Sequence, residues 1–162
     1  AGSIDDNQTG NNLIWRHREK DVIPFCISRG ISIIAYSFYA QGLLLQKNFP
    51  PDNGVCNSGR KNLVFMKKGN TRYTESFINE LNRISLDYGY SLPCLLLSWG
   101  LSKPWLKGIL AGASTKRQLE ESINALGTQI EIPIIEKLEN LSIICDNIDD
   151  TQNIFSHNII SN

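Results

Sequence analysis

The chain of 162 residues is 41% hydrophobic and 20% charged, a globular composition long enough for one domain with a core of its own. Lys plus Arg equals Asp plus Glu at 16 each, so no net field draws nucleic acid or an anionic membrane to it, and any anion site has to be local. Cys26, Cys56, Cys94 and Cys145 stand singly, with no Cys-x-x-Cys pair and no histidine at ligand spacing, which predicts free thiols and no metal centre.

Residues 1–12, AGSIDDNQTGNN, read as a loop or a strand end. The spacing then predicts a helix over Trp15 to Ser28, with Val22, Ile23, Phe25 and Cys26 on its apolar side and Arg29-Gly30 as its stop. Ile31 to Ser37, ISIIAYS, is too short for a helix and suits a strand buried on both faces, as in parallel sheets. Asn48 to Lys61 holds two prolines, two glycines and three asparagines and predicts a long loop.

Helical spacing returns over Thr71 to Tyr88 through Phe77, Ile78, Leu81 and Ile84. Ser91-Leu92-Pro93 opens another helix to about Ser102, since a proline in the first turn lacks only an N–H that would be unpaired there. That run is broken by Pro93, Ser98 and Gly100 and is too short to span a bilayer; with no signal-peptide pattern at the start, a cytoplasmic location is expected. Trp105 to Ala111 reads as a second strand, and Ser114 or Thr115 can cap the helix that follows. A last helix covers about Ile132 to Ile144, which gives a domain over residues 1–145 and a polar, Asn-rich tail over 146–162.

Strands alternating with helices are consecutive βα units on a parallel sheet. Where the second strand enters a helix through Gly112-Ala113-Ser114-Thr115-Lys116, small residues let a ligand approach the backbone, and free N–H groups at the positive end of the helix favour phosphate. Lys116 and Arg117 put cations where a purely structural helix would do better with acidic residues. The plainer reading of the same residues is a capped surface helix. Gly54 to Lys61, GVCNSGRK, has phosphate-loop spacing but no strand before it and the wrong residues after it, so it is set aside, as is Ser58-x-x-Lys61.

AGASTKRQLEES, residues 111–122, resembles the aldo-keto reductase pattern P-G-A-S-x-x-x-Q-L-x-E-N, with Ala111 for the usual Pro and Ser122 for the usual Asn. Gly30 to Leu44, GISIIAYSFYAQGLL, resembles the family's G-I-x-x-x-A-Y-S-P-L-x-x-G-L-L, with Phe38 and Tyr39 replacing Pro and Leu. Asn7 to Arg16, NQTGNNLIWR, resembles N-Q-x-x-Y-N-L-L-W-R, with Asn11 for the Tyr, and Arg60 sits where relatives carry an Arg after the seventh strand. The matches keep the family's order and spacing from Asn7 to Leu138.

The resemblance implies the C-terminal part of a TIM (β/α)8 barrel, incomplete, with about three strands against the eight of a whole barrel. It implies a nicotinamide cofactor, NADP (NADPH) in view of Lys116 and Arg117. On the family's pattern Gln8 would bond the carboxamide and Tyr36 would stack on the nicotinamide. Ser37, Ala40, Gln41, Gly42 and Leu43 would follow the pyrophosphate. Gly112, Ala113, Ser114 and Thr115 would line the 2′-phosphate, Gln118 would sit at the ribose phosphate, and Glu121 and Ser122 would face the adenine. The family's catalytic tetrad has no counterpart here: His17 is expected on the exposed side of a helix and His157 in the tail, both solvated. The expected activity is therefore the cofactor-holding portion of a reductase of aldehydes and ketones, whose carbonyl substrate binds only with the remaining half of the barrel. The alternatives are a non-catalytic module like the superfamily's potassium-channel β subunits and an inactive truncated product. Unpaired barrel edges predict self-association.

Overall fold

Three short strands, β1 (Asp6–Gly10), β2 (Ser32–Tyr36) and β3 (Leu106–Ile109), form one parallel sheet in that order, in a computed structural model that describes residues 4–47 and 71–143. The expected loop Asn48 to Lys61 with Cys56 and Arg60, and the tail with Cys145 and His157, lie outside the described residues. Cys26 and Cys94 are buried free thiols.

Register decides what each face of the sheet carries. Gln8 pairs with Ile34 and Gly10 with Tyr36, while Asn7 pairs with Ile33 and Thr9 with Ala35. Side chains alternate along a strand, so Gln8, Ile34 and Tyr36 share one face, and Ile33 and Ala35 share the other. Ile33 and Ala35 are wholly buried under the helices, whereas Ser32, Ile34 and Tyr36 are only partly covered. β2 is thus buried on one face, not on both as its continuous apolar run suggests. The helices α1 (Val22–Ser28) and α3 (Leu92–Leu101) pack on one side of the sheet, and among the described residues nothing comparable covers the other. A register shift between Ile33 and Ile34 occurs where β3 carries Lys107, whose Nζ reaches Asp6 Oδ1 at 2.9 Å.

The predicted helix from Trp15 is two pieces, a 3₁₀ turn over His17–Lys20 and α1, whose first N–H bonds the Asp21 carboxylate. α1 buries Ile23 and Cys26 against Ile33, and Phe25 is 56% exposed with the Arg29 guanidinium over its ring. Two residues on from Ile23, at about 100° per residue, Phe25 faces away from the sheet. His17 is half-buried with its ring 4.8 Å from that of Trp15, so it is packed and not solvated as expected.

The helix α2 (Thr71–Tyr88) keeps the bounds its spacing predicts, with Phe77, Ile78, Leu81 and Ile84 buried. α3 is apolar nearly all round because it is central: Leu95, Leu96, Leu97 and Trp99 all sit in the core, with α4 (Lys116–Leu126), α5 (Ile132–Ser142), α2 and β3 around it. Its start follows the sequence, Ser91 Oγ accepting from Cys94 N and Pro93 lying in the first turn. Trp99 Nε1 and Lys103 Nζ both donate to Glu139 Oε2, at 2.7 and 2.6 Å, and Arg16 pairs with Glu139 Oε1 at 2.5 Å. That cluster joins the loop after β1 to α3 and α5.

Candidate functional site

The chain leaves β2 through a backbone that L-residues avoid. Ser37, Ala40, Gln41 and Gly42 all have left-handed φ, at 53°, 48°, 55° and 88°. Each non-glycine case costs on the order of 1 kcal/mol, so burial and hydrogen bonds nearby must hold the segment. Phe38, Tyr39, Ala40, Leu43 and Leu44 are buried, and burying all five within seven residues requires the kinked 3₁₀ turn Ala40–Leu45. Phe38 stacks on Trp99 with centroids 6.0 Å apart. Its ring occupies the room left by Gly100, where a Cβ would collide with Phe38 and come within 2.8 Å of Ile109. Asn12, buried in the loop after β1, donates from Nδ2 to the Ser37 carbonyl at 3.0 Å and accepts from Ile14 N at 3.1 Å.

The exit from β3 is built differently. After Leu110 N bonds the Ala35 carbonyl at 2.8 Å, residues 112–117 run exposed into α4. Of the two expected caps the structure uses Thr115, whose Oγ1 accepts from Gln118 N, while Gln118 Oε1 accepts from Ser114 N at 2.8 Å. The reciprocal pairing is a capping box moved out by one residue. Arg117 pairs with Glu121 at 2.5 Å and Lys116 with Glu120 at 3.3 Å.

Between these two lips lies an open cleft of about 620 Å³, within the range of ligand sites. Ser37, Gln41, Gly42, Gly112, Ala113, Ser114 and Gln118 line it, so the structure brings seven of the fourteen candidate residues together from segments some seventy positions apart. Phe38, Tyr39, Leu45, Gln46, Leu110 and Arg117 line it too and were not among the candidates. Arg117 is visible as a cation in the sequence; Leu45 and Gln46 face the cleft only because the kinked turn doubles back, which no residue type announces.

The other candidates sit beside the cleft. Ala40 and Leu43 have buried side chains, so only their backbone can face a ligand. Thr115 is engaged as the cap and Glu121 with Arg117. Gln8 is exposed on the open face of the sheet, in register with Ile34, and Tyr36, the residue before the turn, has its ring near Gly10. Ser122 is buried and points inward: its Oγ lies 2.9 Å from the Tyr39 hydroxyl and donates to the Gln118 carbonyl at 3.1 Å. Two of the departures from the family pattern, Tyr39 and Ser122, therefore meet. Burial pushes the Tyr39 phenol up, with the Ser122 bond opposing, so it remains a neutral donor.

These groups suit the phosphate-bearing end of a nucleotide. A helix of eleven residues aims its first turn at the cleft, Arg117 supplies a cation, and small residues line one lip. Gly112 is the sharpest indication of fit: its φ is ordinary and a Cβ there would meet nothing within 4 Å, so neither packing nor backbone demands a glycine. The position is open space on the lip of the cleft. No helix among the described residues is long and apolar enough to cross a membrane.

The "Aldo/keto reductase family" model matches residues 3–143. The chain is 26% identical over 132 residues to an NADH-specific methylglyoxal reductase of Escherichia coli strain K12, covering 80% of this chain and 39% of that protein. It is 31% identical over 124 residues to the L-glyceraldehyde 3-phosphate reductase of the same strain, covering 74% and 36%. A probable voltage-gated potassium channel subunit beta of Oryza sativa subsp. japonica is 27% identical over 135 residues, covering 79% and 40%. The chain thus spans about two fifths of the length of these relatives. Among solved structures, a glycerol dehydrogenase from Gluconobacter oxydans superposes with a TM-score of 0.64 at 21% identity, over 84% of this chain and 41% of that one. The three parallel strands with their helices are accordingly part of a TIM barrel and not the whole of it. With a family model spanning all of the described residues, the chain belongs to the aldo/keto reductase family.

Proposed function

We propose that this chain is the cofactor-holding portion of an NAD(P)H-dependent aldo-keto reductase that reduces aldehydes or ketones to alcohols. The observation that carries the reading is the cleft between the Ser37 to Gln46 turn and the Gly112 to Gln118 loop, which unites two sequence motifs across the fold and keeps Gly112 open where the chain has no need of it.

In this reading the start of α4, with Ser114 and Arg117, receives the adenosine phosphate, and Gly112 and Ala113 leave it room. Ser37, Gln41 and Gly42 present backbone along the pyrophosphate, held by the burial of Phe38 and Leu43 beneath them. Tyr36 and Gln8 lie on the sheet face beyond the turn, where Tyr36 offers a ring to the nicotinamide and Gln8 an amide to its carboxamide. The bound dinucleotide would supply a hydride to the carbonyl carbon. No residue of this chain is assigned as the proton donor. Arg117 and Lys116 favour NADP over NAD, because an arginine can pair a phosphate in a fork that a ribose hydroxyl cannot fill.

Titration of the chain with NADPH and NADH, read by cofactor fluorescence, tests this. Saturable binding with NADPH favoured, and the preference reduced about 10-fold in Arg117→Ala, supports it. Equal affinity for the two removes the NADP preference, and no saturable change removes the reading. The similarity to a probable voltage-gated potassium channel subunit beta favours a second function, a non-catalytic module that binds a nucleotide or a partner protein. Among the described residues the outer edges of β1 and β3 have no partner strand, which with the exposed Leu119, Ile123 and Leu126 on α4 suits self-association.

A further inference from the structure

Tyr39 and Ser122 are 83 residues apart in sequence, and their hydroxyl oxygens are 2.9 Å apart in the interior. One belongs to the turn that forms the first lip of the cleft and the other to the helix that forms the second. Ser122 has a single proton, and it is directed at the Gln118 carbonyl at 3.1 Å, so the phenol is the donor between the two hydroxyls. The connection continues outward, because Gln118 holds Ser114 N at 2.8 Å with its side-chain oxygen. Hydrogen bonds through Ser122 and Gln118 therefore link Tyr39, whose ring packs edge-on against Phe38, to Ser114 in the exposed loop.

The other side-chain hydrogen bonds of the second lip lie within it, while α4 itself packs on α3 through the buried Ala125. Thr115 caps its own helix, Gln118 bonds four residues back and Arg117 bonds four residues on. None of these hydrogen bonds ties α4 directly to the turn at Ser37, and the Tyr39–Ser122 bond does. We propose that the Tyr39 hydroxyl is a positioning group that sets the separation of the two lips, so that a dinucleotide reaching from one to the other finds both ends in place at once. The inference rests on the cofactor reading above. Its physical content is preorganisation: a ligand that bridges two elements gains from a fixed spacing, and a ligand that touches one of them does not.

That distinction supplies the test. The full chain and its Tyr39→Phe, Ser122→Ala and doubly substituted variants are titrated with NADPH, which bridges the lips, and with 2′,5′-ADP, which engages the α4 lip alone, and thermal midpoints are recorded beside the affinities. Tyr39→Phe keeps the ring in the core and leaves Ser122 bonded to Gln118. It should weaken NADPH about 5-fold, the factor that goes with one neutral hydrogen bond, while 2′,5′-ADP stays within about 2-fold. Ser122→Ala should weaken NADPH equally and lower the thermal midpoint more, because it strands the buried phenol. The double variant should bind no worse than either single one. NADPH bound by Tyr39→Phe as tightly as by the unsubstituted chain overturns the inference, as does a parallel loss for both ligands, which would make the bond a support of α4 alone. Failure of the unsubstituted chain to bind either ligand overturns the cofactor reading and this inference with it.

Discussion

The two lips of the cleft reach similar roles by opposite means. The Ser37 to Gln46 lip is set by burial: Phe38, Leu43 and Leu44 are in the core, and the backbone between them accepts left-handed φ at three non-glycine residues to keep them there. The Gly112 to Gln118 lip is set by hydrogen bonds at the start of a helix, with its residues exposed and its φ values unstrained. The first is rigid because the fold has no other place for its side chains. The second is held by its caps and by the packing of α4 behind it, which leaves its exposed residues free to carry groups chosen for a ligand. Substitutions of Phe38, Leu43 or Leu44 in the first should register as stability, and of the cleft-lining Gly112 or Arg117 in the second as binding.

The largest effect should come from Phe38→Ala. It empties the space between Trp99 and Gly100 and should cost about 3–5 kcal/mol in a denaturant titration; a loss under about 1 kcal/mol would show that packing does not hold the first lip. Thr115→Ala removes the cap of α4 and should cost about 1 kcal/mol, with the far-UV signal of one frayed helix turn in place of a global change.

A smaller effect concerns acid. Burial works to raise the Glu139 carboxyl, but hydrogen bonds from Lys103 and Trp99 and the charge of Arg16 outweigh it and hold it below its ordinary 4.5. A carboxyl depressed in the folded state stabilises fully above its unfolded value and loses that contribution as pH falls through the folded one. Stability should therefore decline below about pH 4.5. With the side chain 38% exposed, screening limits the contribution to under about 1 kcal/mol. Glu139→Gln should flatten this part of the pH profile, and an unchanged slope would assign the acid sensitivity elsewhere.

How much of this was legible in the sequence follows the same division. Features encoded within a few residues were readable: the bounds of α2 from its spacing, the start of α3 from Ser91 and Pro93, and a hydroxyl cap before α4. Gly42 announced a close approach because glycine tolerates its φ of 88°. Ser37, Ala40 and Gln41 announced nothing, since their left-handed conformations are imposed by neighbours that must be buried. Tyr39 and Ser122 could be seen as departures from a pattern, but not as partners, because an 83-residue separation leaves no local trace. The half-open face of β2 is hidden from the sequence for a related reason: an apolar run states that burial is favourable and not that a layer is present to provide it. Phe25 fails likewise, its seven-residue helix being too short for spacing to distinguish one apolar side.

The most direct test of the central claim is Gly112→Leu, followed for both stability and NADPH binding. A side chain at this position meets no atom of the chain, so the thermal midpoint and the denaturation free energy should stay within about 0.5 kcal/mol of the unsubstituted protein. The saturable NADPH fluorescence change should fall by at least about 10-fold in affinity, since the proposed reading sets the ligand's phosphate end against Gly112. Undiminished NADPH binding by Gly112→Leu, at unchanged stability, would contradict the account.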